Sequence, residues 1–272
     1  MNTPISLPTT NFKTMIKIRT LIISILMTVS SYSQYSYIGE VSYQETVNYG
    51  SADETTDYKL YFNTYFSFYE EVIVLNKGKD FGMDSEGNKK SSIYFNEDVP
   101  VYTFTDFKAK KIIFKKHIAT DIYAVNDIFE KISWTIKEEF KKIGSYKCQK
   151  AICSFRGRDY TAWFTDKIPV QCGPWKLNNL KGLILEAYDK DGVYKVQATK
   201  IALLKTEKDI TPKIQRLLKE KKISFLDYQV KWSKRHKDMI TYLNSKLPKK
   251  SKPFRAESQE LDKVKELEIF KK

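Results

Sequence analysis

Histidine and cysteine are the scarcest reactive residues in this chain. His117 and His236 are the only imidazoles, and Cys148, Cys153 and Cys172 the only thiols. Two distant histidines in differently patterned segments, and cysteines without paired metal-ligand spacing, give no pattern for a zinc site. A nucleophilic hydrolase needs Ser or Cys beside a histidine that an acid orients. Neither a Gly-x-Ser-x-Gly elbow nor a glycine-rich phosphate loop occurs. No cofactor, no metal and no catalytic residue is therefore expected, and whether the chain is an enzyme stays open. Arginine is scarce too, with six against 41 lysines.

Aromatic and β-branched residues are plentiful, with 18 tyrosines and 16 phenylalanines in 272 residues. From Gln34 to Leu204 they recur in short alternating runs, the period of half-buried strands. Tyr37–Val47, the Tyr58/Leu60/Phe62 alternation, Phe66–Leu75, Ser91–Phe95, Val101–Phe104, Lys111–Phe114 and Ile122–Val125 are predicted strands. The polar stretch Asp80–Ser92 is a predicted loop. There is no 20–50 residue repeat of the kind that marks a solenoid or propeller.

The N-terminus has the pattern of an export signal. Lys17 and Arg19 flank the apolar run Leu21–Val29, and Ser31-Tyr32-Ser33 supplies small residues for cleavage before Gln34. The run is too short for a spanning helix, and Met15 is the expected start. An exported chain in the periplasm, at the outer membrane or secreted makes nucleic acid an unexpected partner.

The net charge of +14 is concentrated at the C-terminus, where residues 205–272 hold 20 Lys/Arg against 10 Asp/Glu. A domain boundary is placed near Leu204 on that shift. The expected layout is a signal over 1–33, a β domain over 34–204, a basic helical segment over 205–248 and a charged tail over 249–272.

The densest stretch runs from Trp134 to Asp189 and holds all three cysteines and three of the four tryptophans. Lys147–Phe155 and Tyr160–Thr165 are predicted to form a hairpin around Gly157-Arg158, with a type II′ turn that pairs Phe155 with Tyr160, Cys153 with Ala162 and Ala151 with Phe164. On one regular strand Cys148 and Cys153 point to opposite faces and cannot bridge. A disulfide would then need Cys172, as Cys153–Cys172 or, alternatively, Cys148–Cys172; all three thiols buried and reduced is the third outcome. The chain leaves the strand at Pro169 and re-enters sheet over Leu180–Tyr188. Asp189-Lys190-Asp191-Gly192 is then a hairpin turn to Val193–Ile201.

After Glu207 the period becomes helical. Thr211-Pro212 starts one helix, lined by Ile214, Leu217 and Leu218. Ser224 with Asp227 resembles a capping box for a second, which runs through Asn244 and stops at Pro248. A short tail helix around Leu261, Val264 and Leu267 is expected. The two basic helices could face an anionic membrane surface or pack an apolar stripe on the sheet.

The residues Trp134–Glu138, Tyr146-Lys147-Cys148-Gln149-Lys150-Ala151, Gly157-Arg158, Tyr160-Thr161-Ala162-Trp163, Ile168-Pro169, Gly173-Pro174-Trp175-Lys176 and Gly182-Leu183-Ile184-Leu185-Glu186 occur in that order. In this the chain resembles the GLPGLI family of exported Bacteroidota proteins. Asn179 stands where the naming motif has its first glycine and Lys181 where it has its proline. The resemblance implies a cell-envelope protein and carries over no catalytic residue.

The expected fold is mainly β: an antiparallel curved sheet or incomplete barrel with C-terminal helices (α+β), the alternative being a β-sandwich. The expected function is a non-enzymatic envelope protein that binds a lipid-like, hydrophobic ligand or an envelope protein partner. The alternatives are an envelope hydrolase that uses Cys148 or an acidic residue, and a structural or assembly component. Arg156, Arg158, Trp163 and Trp175 are the candidate ligand-binding residues, because arginine forks onto oxyanions and tryptophan packs on ligand faces.

Overall fold

The computed structural model describes residues 35–48, 53–73, 82–83, 89–90, 99–118, 121–245 and 268. The export segment, the predicted strand Ser91–Phe95, the stop at Pro248, the tail helix around Leu261–Leu267 and the side chain of His236 lie outside the described residues.

Alternating apolar residues build one open sheet of twelve strands. The first strands are β1 (Ser36–Asn48), β2 (Asp53–Phe62) and β3 (Phe66–Glu71). Two-residue β4 (Gly82–Met83) and β5 (Lys89–Lys90) pair only with each other. There follow β6 (Tyr102–Asp106), β7 (Lys111–Ile118), β8 (Asp121–Asp127), β9 (Thr135–Ile143), β10 (Tyr146–Phe155), β11 (Arg158–Thr165), β12 (Leu183–Asp189) and β13 (Tyr194–Asp209). Helix α1 (Thr211–Lys219), the short β14 (Lys222–Ser224) and helix α2 (Phe225–Ser245) are the last of the described elements.

The spatial order is β14-β8-β7-β6-β3-β2-β1-β13-β12-β11-β10-β9. Every pair is antiparallel except β14 with β8. The expected curved open sheet with C-terminal helices is the architecture observed, and the sandwich alternative is not. The sheet continues through the boundary placed at Leu204, since β13 runs to Asp209.

Strand alternation distributes the helices over both faces at one end of the sheet. Ile113 packs with Phe66, Phe68, Phe104 and with Ile210, Ile214 and Leu217 around α1. Its neighbour Phe114 packs with Val125 and with Phe225 and Tyr228 of α2. Successive strand residues point to opposite faces, so α1 and α2 lie on opposite sides of the β6–β8 end. Strand β14, hydrogen-bonded to the edge of β8, carries the chain across. Proline in the first turn of α1 and the Asp227 N–H donating to Ser224 Oγ at 3.0 Å are the expected helix starts.

The hairpin of β10 and β11 differs from expectation. Phe155 pairs with Arg158 and Ala151 with Ala162, a slip of two residues, and the turn centres on Arg156-Gly157. Both central residues have positive φ, 50° and 80°, the signature of a type I′ turn rather than II′. A slip of two preserves the faces, so Ala151, Cys153, Phe155, Tyr160 and Ala162 still enter the core.

Cys148 and Cys153 are also both buried in that core, because the pairing of β10 with β9 is irregular between Gln149 and Ala151 and the inward phase changes there. The assumption of one regular strand therefore fails. All three cysteines are free and buried, and neither Cys153–Cys172 nor Cys148–Cys172 is bridged.

The departures at Asn179 and Lys181 leave the approach to β12 tight. Asn179 takes φ of 74°, a left-handed conformation that asparagine tolerates better than most residues. Gly182 is held by sterics, since a Cβ there would lie 2.2 Å from the Thr165 carbonyl oxygen. Gly182→Ala is expected to lower stability by about 1–3 kcal/mol, the range for overpacking, read as a shift in the urea unfolding midpoint.

Candidate functional site

Strand β1 exposes the site by breaking its own pattern. Tyr37, Val41, Tyr43 and Val47 are its buried positions, and Glu45 occupies the same phase at 8% exposure. Its Oε2 accepts hydrogen bonds from the hydroxyls of Tyr69 at 2.8 Å and Tyr194 at 3.2 Å. Burial outweighs those bonds and the nearby Lys116 charge, and pushes the carboxyl up to about 7.

Glu45 lines a cavity of about 280 Å³ on the face of the sheet that α2 covers. From the sheet, Tyr58 stacks on Tyr69 with ring centres 4.5 Å apart, and Phe114 and Lys116 face the same space. Trp232 of α2 closes one side, with the Lys116 ammonium 4.7 Å from its ring centre. Burial lowers the Lys116 pKa.

The segment between β11 and β12 supplies Trp175 and Lys176. An isolated bridge pairs Cys172 with Asn178, and the Leu177 N–H donates to the Pro174 carbonyl. Trp175 at the head of that turn has φ of 53°. Trp134 Nε1 and Asn179 Nδ2 tie the segment to its surroundings through the carbonyls of Asn178 and Ile132, at 2.8 and 2.7 Å. Trp175 packs beside Phe155 and Tyr194 and remains half-buried at the cavity wall.

Lys176 is 2% exposed. Its ammonium lies 2.7 Å from Asp127 Oδ2 and 2.7 Å from Glu268 Oε1, and 4.0 Å from the Phe114 ring centre. Arg156, thrown inward at the hairpin turn, completes the cluster. Its guanidinium is 3.0 Å from Asp127, 3.3 Å from Glu130 and 3.7 Å from Glu268, and packs on the Phe225 ring at 4.6 Å.

Of the four residues picked from sequence, Arg156 and Trp175 come together around Lys176. Arg158 does not join them: it is buried against Asp189 and Asp191, 3.0 Å from each, and locks the β12–β13 turn. Asp189 also accepts the Val193 and Tyr194 N–H groups at 2.7 Å each, so this constellation is structural. Trp163 is covered by the Lys141 ammonium 4.5 Å above its ring, which Glu186 holds at 2.6 Å.

Sequence reasoning missed Glu45, Lys116, Lys176, Asp127 and Glu268. A carboxylate in the buried phase of β1 was the available signal for the first. Cys148 is fully buried, and that burial pushes its thiol up to about 11, opposite to the shift that activates a nucleophilic cysteine. Among the described residues, no group of three or more His, Cys, Asp or Glu gathers as a metal site.

Residues 70–230 match the family described as N-glycanase peptide, N-terminal domain. The chain belongs to this family. Among solved structures, PNGF-II in one crystal form is 20% identical with a TM-score of 0.47, over 73% of this chain and 33% of that one. The chain thus spans about a third of PNGF-II. An uncharacterised conserved protein of Thermus thermophilus gives 9% identity and a TM-score of 0.35, over 75% of this chain and 99% of its own. A LolA superfamily protein of Nitrosomonas europaea gives 8% and 0.27, over 71% and 96%. No curated protein matches the chain. No helix among the described residues is long and apolar enough to cross a membrane.

Proposed function

We propose that the chain is a non-enzymatic binding domain of the cell envelope whose cavity takes an amphipathic, lipid-like ligand. Supporting it is the cavity itself, kept between the sheet and α2 and lined by both aromatic rings and charged side chains. Tyr58, Trp175 and Trp232 offer flat apolar faces, while Glu45, Lys116 and Lys176 can meet a polar head. At about 280 Å³ the space is at the lower limit of small-molecule sites. It suits a compact ligand or one end of a longer one.

Native mass spectrometry of the exported protein, purified from its own envelope, tests this. The expected spectrum carries a discrete mass above that of the chain, and Trp175→Ala reduces its occupancy on the order of tenfold, as for loss of one aromatic contact of about 1.4 kcal/mol. A bare chain contradicts the proposal.

A second reading is a hydrolase that uses Glu45 as general acid. A carboxyl held near 7 in a cavity suits that role, and the family's description names an N-glycanase. Turnover of a glycopeptide by the wild type and its loss in Glu45→Gln would favour this reading over simple binding.

A further inference from the structure

The cluster at the cavity wall holds its charges unequally. Lys176 and Arg156 converge on the same Glu268 oxygen, at 2.7 and 3.7 Å. Both cations have nearly buried side chains, 1% and 6% exposed. They are surrounded by the rings of Phe114, Trp175 and Phe225. Their fixed partner is Asp127, at the end of β8, whose side chain is fully buried. Glu130, a further partner of Arg156, has a side chain 45% exposed.

Without the Glu268 carboxylate, two buried cations, Lys176 and Arg156, would share one buried anion, Asp127. A low-dielectric site with that excess attracts an oxyanion strongly. Lys176, Arg156 and Asp127 lie inside the matched range 70–230, whereas Glu268 lies beyond it. The matched range supplies the cationic half of the site, and Glu268 supplies its occupant. Lys176 and Glu268 both line the cavity, so a ligand there reaches the same ammonium.

We infer that Lys176 and Arg156 form an oxyanion site for the ligand's acidic group, a phosphate or carboxylate, and that Glu268 occupies this site in cis and competes with it. This inference rests on the cavity being a ligand site. The competition follows ordinary population arithmetic: a site filled by its own carboxylate in about nine molecules of ten binds an external anion tenfold more weakly.

The test uses the full chain and calorimetric titration with three probes: inorganic phosphate, glucuronate, and dihexanoyl phosphatidate below its micelle concentration. Glu268→Gln is expected to bind at least one probe on the order of tenfold more tightly than wild type. Adding Lys176→Met to that variant, a charge-balanced change, is expected to abolish the gain. The tightest probe identifies the source as free phosphate, sugar acid or lipid headgroup.

Equal affinity of wild type and Glu268→Gln for all three probes would overturn the inference, as would binding that survives loss of Lys176. If Glu268→Gln unfolds, phosphate should raise its midpoint toward wild type, and absence of rescue counts against the site. A co-purified ligand with no Glu268 effect sinks the oxyanion inference alone. A bare native spectrum with a clear Glu268 effect sinks the lipid-like reading and leaves the anion site.

Discussion

Glu45→Gln is expected to match the wild type in stability at pH 4 and to exceed it at pH 8 by on the order of 3 kcal/mol. The reason is the position of Glu45 in the buried phase of β1, where burial raises its carboxyl from 4.5 to about 7. Between those values the folded state holds a proton that the unfolded chain has released. Stability therefore falls as pH rises through that window, and the full loss is reached above about 7. Glutamine is isosteric with the protonated acid, and its amide oxygen can accept from Tyr69 and Tyr194. The difference between the two proteins isolates Glu45, because every other titrating group is common to both. Urea unfolding at pH 4, 6 and 8 measures it. Parallel stability profiles for the two proteins would show that Glu45 ionises freely in the fold.

Asp127→Asn, by contrast, should be strongly destabilising. Asp127 sits between the Arg156 guanidinium at 3.0 Å and the Lys176 ammonium at 2.7 Å, with its side chain fully buried. Removing its charge leaves two cations among aromatic rings with Glu268 as their remaining buried anion. Breaking a buried ion pair from one side costs about 3–5 kcal/mol, because the partner stays desolvated without compensation. The loss would appear as a lower urea midpoint with an unchanged slope. It should fall most heavily on the end of the sheet where α2 packs, visible as faster amide exchange in β7, β8 and α2. A variant within 1 kcal/mol of wild type would mean that water reaches the cluster.

Much of the architecture was legible because strand and helix periods are local. Tyr37–Val47 alternates except at Ile38 and Glu45, and β1 follows it to within one residue at each end. The start of α1 at Thr211-Pro212 is a backbone signal set by proline, the Ser224 cap of α2 is a short-range hydrogen bond, and both are present. β9 was less legible: Thr135–Ile143 is rich in lysine and glutamate and mostly exposed. It is a terminal strand of the sheet, and such edges carry charges that discourage further pairing. The hairpin register failed by two residues because Arg156, unlike glycine, does not announce a positive φ.

The site was harder to read than the fold. Arg158 and Trp163 were singled out by residue type, and tertiary packing turned both inward to structural partners. Lys176 had been visible only as part of a Gly-Pro-Trp-Lys string. Its importance comes from Asp127 and Glu268, both distant in sequence, the first on a strand near the other end of the sheet order and the second outside the sheet. Glu45 did carry a local signal, a charge in an apolar phase, and such a mismatch is where strand periodicity points to function.

The central claim is that the cavity beside Trp175 and Trp232 holds a ligand. Paired native mass spectra of wild type and Thr56→Trp test it most directly, since Thr56 lines the cavity and an indole there would fill it. With circular dichroism and unfolding midpoint unchanged, the extra mass should be present on the wild-type chain and absent from Thr56→Trp. A bare wild-type chain, or an extra mass that persists when the cavity is filled, would contradict the assignment.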